Sequence, residues 1–320
     1  MPLVVGIDEA GYGPLLGPLV VGATAWQVPP QALDADWWVV LGKAIGRAAE
    51  RGESHLPVGD SKKIYDRKRG LWTLERTVLA FVRATGHAVG TLGELLATLG
   101  CPRCAADAKF PWYRDLSRHL PTDPARSAFE GAAQRLTHVM RDTGVICRGL
   151  RVELLTEDAY NRRVAQTRNK ASVLLETVLR MIDRARGQCG DQDLHVRVDR
   201  LGGRTDYRGL LMDAFPQRHL HVLELSETCS RYRLAAQEND WYVTFLVEGD
   251  QQHVPIALAS MVAKYVRELL MECFNTYWRG LDPDVRPTAG YYQDAKRFLA
   301  DIAPLMEREA VAPERFVRAR

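Results

Sequence analysis

Apolar residues recur at two different spacings along this chain of 320 residues. Short runs of β-branched and other apolar residues predict strands, and apolar residues three and four positions apart predict amphipathic helices. The strand pattern covers 4–10, 19–26, 145–156 and 194–198, with further strands and a helix within 206–247. The helical pattern covers 37–51, 66–84, 92–99, 126–142, 158–186, 256–271 and 294–302. This mixture of elements predicts an α/β fold.

The first predicted strand ends in two adjacent carboxylates, Asp8 and Glu9, and a loop containing Gly11, Gly13 and Gly17 follows. Charges on an apolar strand are costly to bury unless a cation neutralises them, and a divalent metal does so through carboxylate oxygens. Glycines let the backbone approach a ligand closely and direct N–H groups at it. The combination suits a phosphodiester substrate, although an Asp-Glu pair alone also occurs where a strand simply closes into a turn.

Two further carboxylates stand where a sheet edge would collect them. Asp199 ends the strand at 194–198, and Asp250 precedes a helix rich in small residues whose positive N-terminal end favours anions. Asp206 and Glu248 lie close to these two in sequence and are the alternative ligands.

A lysine pair at Lys62 and Lys63, following Asp60 and Ser61, offers compact positive charges for phosphate at the start of a helix. Farther on, Tyr291 follows Gly290. Taken singly, the lysines also fit a solvated loop and the tyrosine also fits ordinary packing.

These motifs occur in the same order in one family. The stretch from Asp8 to Pro18 resembles the first motif of the type 2 ribonucleases H, which comprise ribonucleases HII and HIII, and the segments at 60–63, 199, 250 and 290–291 resemble later ones. The resemblance implies a ribonuclease H-like fold with a mixed central sheet flanked by helices.

Long stretches without family motifs predict insertions at 86–143 and 206–247. The resulting division has four parts: a first core segment 1–85, an insertion or small lobe 86–143, a second core segment 144–303 and a C-terminal tail 304–320.

The resemblance also implies an activity, namely hydrolysis of the RNA strand of RNA/DNA hybrids to 5′-phosphate and 3′-hydroxyl ends. Two divalent ions, Mg²⁺ or Mn²⁺, would be held by Asp8, Glu9, Asp199 and Asp250, which are both the catalytic and the metal-binding candidates. The substrate-binding candidates are Gly11, Tyr12, Gly13, Ser61, Lys62, Lys63 and Tyr291. The implied partner is an RNA/DNA hybrid or a ribonucleotide-containing duplex.

The chain departs from the family at three cationic positions. Tyr12 stands where the family has arginine or lysine, and Glu248 and Ala289 stand where it often has lysine. Cleavage at a single embedded ribonucleotide is therefore an open question. A ribonuclease H-like nuclease acting on DNA or another structured nucleic acid, and a non-catalytic nucleic-acid-binding protein, are the alternatives.

Composition adds few constraints. The formal net charge is only +3 with 46% hydrophobic residues, so bulk charge does not indicate a nucleic-acid binder. The chain has no apolar run long enough for a membrane span, which predicts a cytoplasmic protein without membrane contact. Its six cysteines are scattered, and only Cys101 and Cys104 have zinc-knuckle spacing, without a second pair to complete four ligands.

Overall fold

The computed structural model describes residues 1–47, 55–65, 70–101, 110–126 and 128–319. Several predictions extend beyond these ranges, and the predicted helices 37–51 and 126–142 each include residues outside them. The expected start of the 66–84 helix lies outside them, as does Cys104, so a Cys101/Cys104 metal site cannot be compared with the structure. Cys101 itself is buried, and its thiol donates to the Val152 carbonyl oxygen at 3.3 Å.

The strands within these ranges are β1 (Leu3–Ala10), β2 (Leu19–Gln27), β3 (Ile45–Gly46), β4 (Leu56–Pro57), β5 (Ile146–Leu155), β6 (Leu194–Asp199), β7 (His219–Leu225), β8 (Cys229–Ala235) and β9 (Trp241–Leu246). The helices are α1 (Trp37–Val40), α2 (Ser61–Ile64), α3 (Trp72–Ala84), α4 (Leu92–Thr98), α5 (Glu130–Thr143), α6 (Glu157–Thr167), α7 (Lys170–Cys189), α8 (Arg208–Ala214), α9 (Gly249–Gln252), α10 (Val254–Leu281), α11 (Tyr292–Asp301), α12 (Ala303–Arg308) and α13 (Pro313–Phe316). None of these helices is both long enough and apolar enough to cross a bilayer.

Seven strands form the central sheet in the order β5-β2-β1-β6-β9-β8-β7. β1, β6 and β9 run parallel to one another, whereas β2 and β5 on one side and β8 and β7 on the other are antiparallel to their neighbours. The predicted mixed α/β sheet flanked by helices is confirmed. Because β1 and β6 are adjacent and parallel, their carboxyl ends lie at the same edge of the sheet.

Helices cover both faces of this sheet, and successive side chains of β1 are buried on opposite faces. Val4 packs with α10 in one core, whereas Val5 and Ile7 pack with α7 in the other. α10 approaches very closely: a Cβ at Gly6 would lie 2.1 Å from the Pro255 carbonyl carbon, and one at Gly22 2.4 Å from the Ala259 oxygen. Glycine in these two strands therefore sets the depth at which α10 packs.

Several predicted helices differ in extent from those in the structure: α5 begins at Glu130 rather than at 126, and α10 continues to Leu281. Two others are interrupted. The 37–51 helix ends at Val40, and 45–46 instead forms β3, paired with β4. Gly42 weakens the helix, and pairing with β4 satisfies the backbone that a longer helix would have used. The 158–186 helix is two helices, because Arg168 adopts a left-handed conformation (φ 53°) and the Asn169 side chain caps α7 by accepting from the Ala171 N–H at 2.8 Å.

The two predicted insertions pack onto the remainder of the chain. In the first, Trp112 contacts the α10 ring Phe274 at a centroid distance of 5.0 Å and also Trp278. In the second, β7 and β8 extend the central sheet on the side of β9.

Candidate active site

The sequence-predicted site residues converge at the carboxyl edge of the sheet. All of them except Lys63 line one cavity of about 430 Å³. The predicted members are Asp8, Glu9, Gly11, Tyr12, Gly13, Ser61, Lys62, Asp199, Asp250 and Tyr291. Glu248 lines the same cavity, whereas Asp206 lines a neighbouring one. Residues far apart in sequence thus share one solvent-accessible space.

The end of β1 carries the first two acids. The Asp8 side chain is buried, and its Oδ1 accepts a hydrogen bond from the Glu9 N–H at 2.7 Å. The Glu9 Oε2 atom is buried and has no hydrogen-bond partner. A buried carboxylate oxygen without a donor is costly, so this end of β1 favours a cation.

The other two acids come from β6 and α9. Asp199 ends β6, and its Oδ1 accepts from the Gly249 N–H at 2.8 Å. This bond ties the end of β6 to α9, on which Asp250 lies in the first turn. Gly249 is buried, and a Cβ there would come within 2.7 Å of the Ile256 side chain. Close packing against α10 therefore holds the Asp199–Asp250 arrangement.

The pKa values of all four acids are raised, and burial is the largest cause in each case. Repulsion by Glu9 and Asp199 adds to the raised pKa of Asp8, and repulsion by Asp199 helps to raise the pKa of Glu9 to about 7. The pKa of Asp199 also rises, and that of Asp250 reaches about 6 through burial and the charges of Asp60 and Asp199. The four carboxyls therefore repel one another and compete for protons in the absence of a cation.

The residues present fit divalent ions in their donor chemistry. Hard carboxylate oxygens, one of them buried without a partner, are the ligands that Mg²⁺ and Mn²⁺ prefer. In the described ranges, no group of three or more His, Cys, Asp or Glu side chains lies close enough together to hold a metal ion.

The segment 60–63 presents one cation, Lys62, to the cavity. The Asp60 side chain accepts from the Lys62 N–H at 2.9 Å and starts α2, which leaves the exposed Lys62 side chain at the cavity without an ion pair among the described residues. Ser61 is buried, and its hydroxyl accepts from that of Ser260 at 3.0 Å. Lys63 lies away from the cavity and pairs with Asp60 at 3.8 Å.

The glycines of the loop after β1 differ in why they lack side chains. Gly11 has φ +88°, and a Cβ there would lie 2.5 Å from the Pro18 carbonyl oxygen. Gly13 is exposed, and a Cβ there would meet no atom within 4 Å. Folding therefore requires glycine at 11, whereas at 13 the missing side chain only leaves room at the cavity rim.

Two buried arginines brace this loop, and sequence reasoning did not identify either. The Arg267 guanidinium on α10 donates to the carbonyl oxygens of Leu16 (3.3 Å) and Ala289 (3.1 Å). Arg318 donates to the carbonyl oxygens of Gly11 and Tyr12. An arginine within the apolar α10 pattern was a signal for Arg267. No sequence signal marked Arg318, because it lies in the segment predicted as a tail.

Comparisons with known proteins give distant structural matches only. No family model and no curated protein matches the chain. Among solved structures, ribonuclease HII of Archaeoglobus fulgidus, determined in complex with PCNA, aligns at 17% identity and a TM-score of 0.41, covering 99% of this chain and 94% of that one.

The ribonuclease H2 of Pyrococcus horikoshii OT3 aligns at 15% identity and a TM-score of 0.41, covering 99% and 92%. Bst-RNase HIII, determined in complex with Mn²⁺, aligns at 16% identity and a TM-score of 0.43, and this chain covers 65% of it. All three of these structures are type 2 ribonucleases H, the family that the motifs of this chain resemble.

Proposed function

We propose that this protein is a divalent-metal-dependent endonuclease that hydrolyses the RNA strand of RNA/DNA hybrids, leaving 5′-phosphate and 3′-hydroxyl ends. The observation that carries the proposal is the shared cavity. It places four mutually repelling carboxyls from β1, β6 and α9 beside a lysine, an exposed tyrosine and an open glycine. Acids without a cation would repel a nucleic-acid backbone, so this composition favours metal-assisted phosphodiester chemistry.

Asp8, Glu9, Asp199 and Asp250 would hold two divalent ions, Mg²⁺ or Mn²⁺. When bound, such ions neutralise the carboxyls, activate water and stabilise negative charge on the phosphate and on the departing oxygen. In the hydrolysis, a water oxygen forms the new bond to phosphorus, the bond from phosphorus to the 3′ oxygen breaks, and the departing oxygen takes up a proton.

The other cavity residues would hold the substrate. The Lys62 ammonium is available to a backbone phosphate because it has no ion pair in the part of the chain that the structure describes. The open rim at Gly13 allows the backbone to approach a minor groove, where the 2′-hydroxyl distinguishes RNA from DNA. Tyr291 is 52% exposed at the rim, so it is available to pack on a sugar.

The test is a cleavage assay with purified protein and either Mg²⁺ or Mn²⁺. The substrates are a hybrid, a DNA duplex with one ribonucleotide, double-stranded RNA and double-stranded DNA. We expect hybrid cleavage that EDTA abolishes and that Asp8→Asn and Asp250→Asn each reduce at least about 10³-fold, with circular dichroism unchanged.

Each other outcome has a defined meaning. Cleavage of the all-DNA duplex would indicate the DNA nuclease, and metal-independent binding without turnover would indicate the non-catalytic binding protein. Activity that survives Asp250→Asn would contradict the role proposed for the four acids. Cleavage of the single-ribonucleotide duplex would show that Tyr12 does not prevent that reaction.

A further inference from the structure

The Tyr12 side chain borders three cavities. It lines the cavity of about 430 Å³ that contains the four acids, called here the acid cavity. It also lines a second cavity of about 540 Å³ and a third of about 210 Å³. The second cavity includes the start of α7 and the loop after β6 (201–206), and the third includes Lys170. Open space therefore continues from the acids, past the Tyr12 ring, toward the start of α7.

Two exposed cations flank this continuation. The Lys170 Nζ atom lies 5.2 Å from the Tyr12 ring centroid, and Lys170 is the first residue of α7. Arg204 lines the second cavity. Within the described ranges neither side chain takes part in an ion pair, so both charges are available to a ligand.

The one acid in the second cavity is already neutralised. Both oxygens of the Asp206 carboxylate accept hydrogen bonds from Arg208, the shortest at 2.5 Å. Beside it, Gly202 and Gly203 are exposed, and a Cβ at either would meet no atom within 4 Å. The surface is therefore net positive and free of side chains where a polymer backbone would approach it.

We infer that Lys170 and Arg204 bind backbone phosphates of a nucleic-acid strand that continues from the acid cavity across the Tyr12 ring. The inference rests on the proposed function and adds a second contact region to it. Cations at the rim add binding that does not depend on base sequence, and the half-buried Tyr12 ring, which lines all three cavities, offers a contact surface for a base or sugar. Lys170 thus places a positive charge beside Tyr12, which itself carries none.

The test measures binding of fluorescent RNA/DNA hybrids by anisotropy over a range of salt concentrations. The Asp250→Asn protein is used, in Mg²⁺ and in EDTA, with gels to verify that the hybrid stays intact. Lys170→Ala, Arg204→Ala and the double substitution are added to it. Arg148→Ala is the matched control, because Arg148 is an exposed arginine toward the opposite end of β5 from the acids.

We expect the double substitution to reduce the slope of log affinity against log salt by about two and to weaken binding at least about tenfold. The control should change neither. In the otherwise wild-type enzyme, the same two substitutions should raise KM and leave kcat nearly unchanged.

An unchanged slope in a protein that binds and cleaves hybrids would overturn this inference and leave the proposed function intact. Equal losses in the Arg148→Ala control would also overturn it, because the effect would then be one of general charge. Absence of binding to any nucleic acid would overturn both.

Discussion

Single residues at this site differ in whether the fold or a ligand needs them. Gly11 has a positive φ and no room for a Cβ, whereas Gly13 has room and no such constraint. Glu157 is a third kind of residue, a buried acid outside the cavity. Its Oε1 accepts from the Tyr113 hydroxyl at 3.0 Å, and its Oε2 has no partner. These differences lead to two predictions.

The first concerns Gly13→Ala and Gly11→Ala. We expect Gly13→Ala to change the free energy of unfolding by less than about 0.5 kcal/mol, yet to weaken hybrid binding several-fold, because a methyl group would obstruct the close approach of the substrate. Gly11→Ala should destabilise the protein by about 2 kcal/mol or more, through backbone strain and the contact with Pro18. Urea denaturation and anisotropy measure the two effects. Wild-type binding by Gly13→Ala would show that no ligand approaches there.

The second concerns pH. Burial raises the pKa of Glu157 to about 7 from an ordinary value near 4.5. Between these two values the folded state holds a proton that the unfolded state has lost, so the contribution of Glu157 to stability falls progressively as pH rises from about 4.5 to about 7. Between pH 5 and 8 we expect Glu157 to contribute a loss of about 2 kcal/mol.

The comparison of Glu157→Gln with wild type isolates that contribution. The variant should show a correspondingly flatter dependence of unfolding free energy on pH, whereas Glu176→Gln, at an exposed position of α7, should follow wild type. Identical pH profiles for Glu157→Gln and wild type would show that Glu157 titrates normally in the folded protein.

At the scale of elements, α10 packs under the sheet at the site and contributes side chains to the cavity. It packs against Gly6 and Gly22 in β1 and β2, and its N-terminal part supplies Ser260 and Lys264 to the cavity. Its Arg267 joins the loop after β1 to the segment that carries Tyr291. One buried side chain thus connects two parts of the cavity rim.

Replacement of Arg267 tests this connection. Arg267→Met should destabilise the protein by about 3 kcal/mol. The substitution removes one of the cations beside Glu268, and it removes the hydrogen-bond donor of the Leu16 and Ala289 carbonyl oxygens. Arg267→Lys should restore stability in part and leave KM for the hybrid raised, since lysine cannot reproduce the forked geometry. Arg279→Met, at the exposed end of α10, is the control. Equal KM values for Arg267→Lys and wild type would argue against a positioning role.

At the scale of the whole molecule, the C-terminal segment completes the site. Arg318 is 3% exposed, and its guanidinium carbon lies 4.0 Å from the Tyr160 ring centroid while its N–H groups donate to the loop after β1. Nearby, the Asn161 amide donates to the Val317 carbonyl oxygen at 2.8 Å. Chain segments about 300 residues apart are thereby held in one arrangement.

Loss of this contact should affect the loop more than the remainder of the fold. We expect Arg318→Ala to raise KM for the hybrid about tenfold, with a modest fall in melting temperature and rescue in part by Arg318→Lys. Arg315→Ala, an exposed neighbour, should behave like wild type. Steady-state kinetics and thermal melting measure these effects. A fall in stability without any change in KM would make Arg318 a structural residue only.

The sequence by itself determined the fold class, most element positions and the candidate site residues, because local patterns carry that information. A carboxylate at the end of an apolar strand indicates a sheet edge, and the resemblance of the motif order to that of the type 2 ribonucleases H predicted which strand ends belong together. The same local logic failed at 37–51, where pairing with β4 replaced a helix, and at Arg168, where one left-handed residue divided a helix.

Only the tertiary structure decided which charges are buried together. Asp8 and Asp199 share a cavity because β1 and β6 are parallel neighbours, and Arg267, Arg318 and Glu157 are buried because distant segments pack over them. The cost of a buried charge depends on neighbours that sequence spacing does not specify. For this reason the sequence named the acids at the centre of the site, whereas the residues that brace it became visible only in the folded chain.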